Sequence, residues 1–218
     1  MNIVLLRDSD HWCGADRVVL SDRRAVHIRS VLRSKVGDSI RLGLLAGPLG
    51  VGEIMAISPE GVTLQVCLHQ SPPPRHRFDI VLALPRPKVL RRILRTVAEF
   101  GVANLHLIHT ARVEKSYWQS PLLSPAKVEE ALLAGLERSS DTIAPQVHRH
   151  PLFRPFVEDQ LPQICADRPC LIAQMGAHQP LREVSSGVAL VMVGPEGGFV
   201  PFELNLAQAA GAQPVHLG

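Results

Sequence analysis

Val188-Ala189-Leu190-Val191-Met192-Val193-Gly194-Pro195-Glu196-Gly197-Gly198-Phe199 is the stretch that decides how this chain is read. Its apolar half, rich in valine, fits a strand buried on both faces, as in a parallel sheet. The glycines that follow permit positive φ and a close approach of backbone to a ligand. Pro201 to Ala210, closed by Gly211, reads as a helix whose free N–H groups point back toward that turn. Ligands of open α/β sheets sit beyond the carboxyl ends of strands, so this turn is a candidate ligand loop. No Gly-Lys-Ser/Thr follows, which excludes a Walker loop. The absence of Gly-x-Gly-x-x-Gly counts against dinucleotide folds and the common Rossmann methyltransferases. Spacing alone leaves open a plain tight turn between strand and helix.

Outward from this loop, strand and helix alternate. Asp79 to Leu84 is an apolar run ending at Pro85. Lys88 to Phe100 has helical period, with Leu90, Ile93, Leu94 and Val97 on one face and Arg91, Arg92, Arg95 and Glu99 on the other. Gly101 closes it. Leu105 to Ile108 and Leu171 to Ala173 read as strands, and Pro125 to Glu137 as a helix with Ser124 at its N-cap. This order predicts an α/β domain with a mainly parallel sheet. Upstream of Ser71-Pro72-Pro73-Pro74 the pattern differs. Val18 to Leu20, Ser39 to Leu42, Val51 to Ile54 and Val62 to Val66 are short strand-like runs between turns. A helix is expected over Ser21 to Val31 with Ser21 as its cap. Strands at this spacing predict a small barrel. The division is therefore 1–70 barrel, 71–76 proline-rich linker and 77–218 α/β domain.

Hydrophobic residues make up 46% of the 218, which excludes a disordered tail, and the net charge is +3. Cys13, Cys67, Cys165 and Cys170 form no Cys-x-x-Cys pair, so neither zinc nor a disulfide framework is expected. His106, His109, His148 and His150 read as surface histidines, with His148-Arg149-His150 in a loop beside prolines and no carboxylate to complete a metal site. The run Ile3 to Leu6 is too short for a signal peptide, and nothing reaches the roughly 20 apolar residues of a membrane span. A cytoplasmic protein without membrane or metal partners is expected. Positive charge is clustered. Arg86, Lys88, Arg91, Arg92 and Arg95 follow Arg75 and Arg77 in a stretch whose acids before Glu99 are limited to Asp79. Arg23, Arg24, His27, Arg29 and Arg33, with Arg17 and Lys35, form a second group. Such clusters suit phosphate contacts. With aromatics at 4%, a stacking platform for single strands is not the main device.

Gly194-Pro195-Glu196-Gly197-Gly198-Phe199 followed by Glu203 resembles the signature of the 16S rRNA uracil-N3 methyltransferase family of the SPOUT superfamily. Ala83-Leu84-Pro85 with a basic residue next, Ala98-Glu99-Phe100-Gly101-Val102, and Arg112-Val113-Glu114-Lys115 are similar to further segments of that family. His27-Ile28-Arg29-Ser30-Val31-Leu32-Arg33 followed by Gly37-Asp38 resembles its N-terminal PUA-like RNA-binding barrel. The resemblance implies a trefoil-knotted methyltransferase domain behind that barrel, a homodimer, and 16S rRNA of the small ribosomal subunit as partner. It also implies S-adenosyl-L-methionine held by three segments: Ala173 and Gln174; Gly194, Pro195, Glu196, Gly197 and Gly198; and Leu217 and Gly218. The residues also admit another SPOUT enzyme acting on tRNA or ribose 2′-hydroxyls, or an RNA binder without catalysis. The sequence departs from the family pattern in three places. Val200 stands where the family has Ser or Thr, Arg138-Ser139-Ser140-Asp141 displaces an arginine, and family members continue past Gly218 with a helix that threads the knot. The methyltransferase domain is therefore expected to be C-terminally incomplete. The acids nearest the loop, Glu196 and Glu203, are the candidates for a catalytic role. Glu203 also suits the first turn of a helix on dipole grounds alone, and no base is identified.

Overall fold

The computed structural model describes residues 2–165, 168–184 and 187–217. It divides into two compact units, Met1–Pro74 with Leu133–Ala144, and Arg75–Leu132 with Pro145–Gly218.

The first unit is a six-stranded mixed sheet in the order β1-β4-β5-β6-β3-β2. Its strands are β1 (Val4–Leu6), β2 (His11–Trp12), β3 (Arg17–Leu20), β4 (Ser39–Leu44), β5 (Leu49–Ile57) and β6 (Val62–Gln70). β1 runs parallel to β4, and the other pairings are antiparallel. Alternation aims Val18, Leu20, Ile40, Leu42, Ile54, Val62, Leu64 and Val66 into one core with Val4, Leu6, Ala25 and Ile28. Register shifts at Leu49/Gly50 and Ile54/Ala56 interrupt the β5–β6 ladder, and such irregularities bend a sheet into a barrel-like form. At Gly50 a side chain would run into the Cys67 carbonyl, so only glycine lets the two strands approach.

The expected N-terminal helix is shorter and differently capped. α1 covers Arg23–His27 and continues as a π-type turn over Ile28–Leu32. Its cap is Asp22, not Ser21. Asp22, the residue just before the first helical one, has its Oδ1 accept from Arg24 N at 2.9 Å. A second correction concerns the boundary. Residues 133–144 belong to the first unit, whereas the sequence division placed them in the second. Asn2 N donates to Glu137 O at 2.7 Å, Arg23 Nη2 to Glu137 Oε1 at 2.5 Å, Ala46 N to Thr142 O at 2.8 Å, and Thr142 Oγ1 to Gly47 O at 2.6 Å.

The second unit is a parallel sheet in the order β12-β10-β11-β7-β8-β9. Its strands are β7 (Phe78–Ala83), β8 (Asn104–Ile108), β9 (Gln146–His150), β10 (Cys170–Ala173), β11 (Ala189–Val193) and β12 (Gln213–Val215). The helices are α2 (Pro87–Glu99), α3 (Pro125–Ser139), which crosses the boundary between units, α4 (Phe153–Pro155), α5 (Leu161–Cys165), α6 (Leu181–Val184) and α7 (Pro201–Ala209). Four consecutive residues of β11, Ala189 to Met192, and three of β10 are buried, as a sheet covered on both faces requires. Gly101 and Gly211 close their helices in the left-handed region, at φ 67° and 96°.

His106 is buried and His109, His148 and His150 are half-buried, so none of the four is a fully exposed surface histidine. Gln146–His150 is a strand, and His106 is 5% exposed. The His106 ring stacks on His148 at 4.5 Å, and its Nδ1 lies 3.1 Å from His150 Nε2. His148 Nε2 meets Asn104 Oδ1 at 3.1 Å, and Phe156 covers His150. Asp79 accepts from Asn104 N and Nδ2 and pairs with Arg168 at 2.7 Å. Burial, and then the neighbouring His148 and His150, hold His106 down at about 4. Burial and His148 also lower His150. Folded His106 and His150 therefore refuse protons that an unfolded histidine takes up near pH 6.5. Their contribution is complete above that pH and is lost as pH falls toward 4. We expect the second unit to lose on the order of 3 kcal/mol from His106 across this window. Urea unfolding at pH 7.5 and pH 5 tests this. His106→Leu should flatten the difference, and equal midpoints in the parent chain would contradict the assignment.

Candidate functional site

β12, β10 and β11 lie side by side and parallel, so their carboxyl ends open on the same edge of the sheet. The segments leaving those ends surround a cavity of about 720 Å³. Ala173 and Gln174 enter it from β10, Gly194 to Phe199 from β11, and His216 and Leu217 from β12. Backbone bonds hold the first and third segments together: Gln174 N to Val215 O at 2.9 Å, Leu181 N to His216 O at 2.9 Å, and His216 N to Gln179 O at 3.0 Å. The second segment folds on itself, with Gly198 N donating to Pro195 O at 2.8 Å and Gly198 at φ +72°. A side chain on Gly194 would sit 3.0 Å from the Phe199 ring. The structure thus gathers Ala173, Gln174, Gly194, Pro195, Glu196, Gly197, Gly198 and Leu217 around one space. Gly218 lies outside the described residues.

Two side chains brace the glycine-rich loop against the segment after β8. Glu203, 3% exposed, accepts from Ala111 N at 2.6 Å and from Val200 N at 2.9 Å. The Val200 side chain has no acceptor for the first-turn amides, and the Glu203 carboxylate supplies the other half of a capping box by accepting from Val200 N–H. Both carboxylate oxygens thus accept backbone amides, the structural role that a place in the first turn of the helix suggested. Arg112 Nη1 donates to Gly197 O and, at 3.4 Å, to Gly198 O. Arg112 was missed as a site residue; the signal was the Arg112-Val113-Glu114-Lys115 segment, read for resemblance and not for geometry. Glu196 is exposed and pairs with Arg86 at 3.1 Å, an interaction worth about 0–1 kcal/mol at such exposure.

A second cavity, of about 500 Å³, shares the loop Gly194 to Gly197 and is otherwise lined from β7, α2 and the segment 112–117. Along α2, Lys88, Arg91 and Arg92 are exposed, while Arg95 is half-buried with an unpartnered Nε. Arg91 pairs with Glu130 at 2.9 Å. The candidate phosphate contacts of the first unit fare differently. Arg24 is 8% exposed and serves as an internal hub, with Asp10 at 2.7 Å, Asp22 at 2.8 Å and Leu5 O at 2.6 Å. Its guanidinium is spent inside the protein, which removes it from the RNA-facing set. Arg23 is tied to Glu137, and Arg29 donates to the carbonyls of Ser58 and Pro59. His27 is half-buried, and Arg33 is exposed at φ 53°.

The family model described as an RNA methyltransferase domain matches residues 71–218. The chain belongs to the RNA methyltransferase domain family. It is 29% identical over 224 residues to the ribosomal RNA small subunit methyltransferase E of Treponema pallidum, an alignment covering 100% of this chain and 84% of that protein. The crystal structure of a ribosomal RNA small subunit methyltransferase E from Neisseria gonorrhoeae, bound to S-adenosyl methionine, matches with a TM-score of 0.76 at 20% identity, covering 100% of this chain and 89% of that one. A putative methyltransferase from Legionella pneumophila, in complex with the bound cofactor SAM, matches with a TM-score of 0.73 at 17% identity, covering 100% and 90%. At these identities the two structures show the fold, a barrel-like mixed sheet followed by an α/β domain with a parallel sheet, as expected from the sequence. No helix among the described residues is long and apolar enough to cross a membrane.

Proposed function

We propose that this RNA methyltransferase uses S-adenosyl-L-methionine, held in the cavity at the ends of β10, β11 and β12, to methylate N3 of a uridine in 16S rRNA of the small ribosomal subunit. The observation that carries this reading is the convergence of the three strand ends on one cavity with a glycine-rich wall. The named relative from Treponema pallidum and the cofactor-bound structures support the substrate class and the cofactor. A cytoplasmic homodimer belongs to the same reading.

The residues fit the cofactor. Phe199, 7% exposed, together with Leu204 and Ala173, offers an apolar wall for a purine. Gln174 Oε1 is a buried acceptor without a partner, and such an atom calls for an N–H donor. The Glu196 carboxylate at the cavity's edge, paired with Arg86, would offer an acceptor to a cationic group of the cofactor. When bound, the cofactor would supply a methyl group on a positive sulfur; the sulfur would keep the bonding electron pair, N3 would gain the carbon, and the N3 proton would leave to solvent. The protein's own part is to hold the acceptor in line, exclude water and stabilise the uracil anion through N–H donors. Glu203 braces the glycine-rich loop through both of its oxygens.

The function is tested by titrating S-adenosylmethionine into the protein and then following transfer of labelled methyl to small-subunit RNA that lacks its own methylations. Saturable binding and label in RNA are expected; neither would overturn the reading. The α2 arginines and Lys88 supply RNA affinity through phosphates. Replacing Lys88 and Arg92 together by glutamine should weaken RNA binding about tenfold and reduce the slope of log affinity against log salt by roughly 1.4. An unchanged slope would place the RNA elsewhere.

A further inference from the structure

We propose that the second cavity is the seat of the acceptor pyrimidine nucleotide, with Arg112 as the residue that positions its base. This rests on the methyl transfer proposed above and names where the other reactant sits.

Transfer requires the donated carbon and the accepting nitrogen to approach within about 3–3.5 Å. The acceptor cavity must therefore share a wall with the cofactor cavity, and that wall must be thin. Gly194, Pro195, Glu196 and Gly197 line both spaces. Two of these four residues have no side chain, so at those points the partition is a single thickness of backbone. The volume of about 500 Å³ suits a nucleotide.

The lining chemistry is that of a flat, polar-edged ring. Leu84, Val89, Ile93 and Val113 supply aliphatic contact, and the half-buried Tyr117 adds an aromatic side chain. The Tyr117 hydroxyl is fixed by Glu114 Oε1 at 3.3 Å. Charged donors sit beside this apolar surface. Arg86 is at the start of α2, and Arg112 is anchored by Nη1 on the Gly197 carbonyl. That anchor leaves the remaining N–H groups of the Arg112 fork for a ligand. A guanidinium donating to a uracil carbonyl beside N3 would stabilise the charge that develops as the N3 proton leaves. The anchor also links the two cavities mechanically, because the residue that reads the base holds the loop that walls the cofactor.

The decisive variant is Val89→Trp, which fills the second cavity from α2 without touching the first. We expect the dissociation constant for S-adenosylmethionine to stay within about threefold, and kcat/KM for small-subunit RNA to fall by roughly 100-fold or more. Undiminished transfer by a cofactor-bound Val89→Trp protein would overturn the proposal. Should that variant fail to fold, Tyr117→Ala decides: a rise in KM of about tenfold is expected, and unchanged kinetics would overturn the proposal. A direct probe does not depend on turnover. Uridine 5′-monophosphate titrated into the protein, with S-adenosylhomocysteine present, should shift the backbone amides of Arg112, Val113 and Tyr117. Shifts confined to other residues, or none, would overturn the site. Failure of the parent chain to bind the cofactor or transfer methyl would count against the proposed function instead, and the nucleotide titration would still decide the cavity.

Discussion

Gly194→Val is expected to lower affinity for S-adenosylmethionine by at least about 100-fold, equivalent to roughly 2.7 kcal/mol, while leaving the fold intact. A Cβ at this position meets the Phe199 ring at 3.0 and 3.1 Å and the Phe199 backbone nitrogen at 3.2 Å. Phe199 is buried and has little room to retreat, and the two further methyls of valine extend into the same crowded turn. Relief comes by pushing the Gly194–Gly198 loop into the 720 Å³ cavity that it walls. The strand behind it is paired on both sides, with β10 and β7, so the disturbance should stop at the loop. Isothermal titration with the cofactor, beside a thermal melt, checks this. Affinity equal to that of the parent chain would remove the loop from the cofactor site.

Arg24→Ala should cost the first unit on the order of 3–5 kcal/mol, enough to lower its melting temperature by about 15 °C or more. The cost does not come from a favourable surface pair. Arg24 and Asp10 have side chains 9% and 8% exposed, and removing the guanidinium leaves the Asp10 carboxylate buried without its counter-charge. The Leu5 carbonyl loses its donor as well. Arg24→Met combined with Asp10→Asn should recover much of the loss. The methionine refills the volume, and the neutral amide can still accept from Arg7 N, which Asp10 Oδ2 now does at 2.8 Å. Chemical denaturation of the single and double variants makes the comparison. A single variant as stable as the parent would mean that the cluster is solvated and contributes little.

Arg24 also marks the limit of what sequence reading supplies. In the sequence it is one of several arginines around a short helix, and nothing local separates it from Arg23 or Arg33. Its partner Asp10 is fourteen residues away and its role is set by the turn of β1 toward α1, a tertiary fact. Glu203 is similar. The helix-start pattern is legible, but the amide of Ala111, brought from another part of the sheet, is not. The strand β9 was hidden because Gln146-Val147-His148-Arg149-His150 has little β-branched or apolar content. It is ordered by parallel pairing with β8 and by the stacked histidine rings. β12 contains Pro214, a residue tolerated because the strand lies at the sheet edge. The helical stretch from Phe153 to Cys165 passed unread because Pro155 and Pro162 break its pattern.

Elements with strong local signals were legible. The valine-rich run into Gly194, the amphipathic face of α2 and the capping glycines Gly101 and Gly211 fall where the residues place them. The three segments expected to hold the cofactor do converge, because the parallel order β12-β10-β11 brings their ends together. That order could not be read from spacing, since β12 is three residues long and β10 four. The convergence was reached through resemblance, and the geometry now gives it a physical reason.

The measurement that bears most directly on the central claim is the identity of the methylated atom. Small ribosomal subunits lacking their own methylations, incubated with this protein and labelled S-adenosylmethionine, would be digested to nucleosides and the labelled product identified by mass spectrometry. The account predicts 3-methyluridine from 16S rRNA. Label on a ribose 2′-oxygen, on another base or on tRNA alone would contradict it.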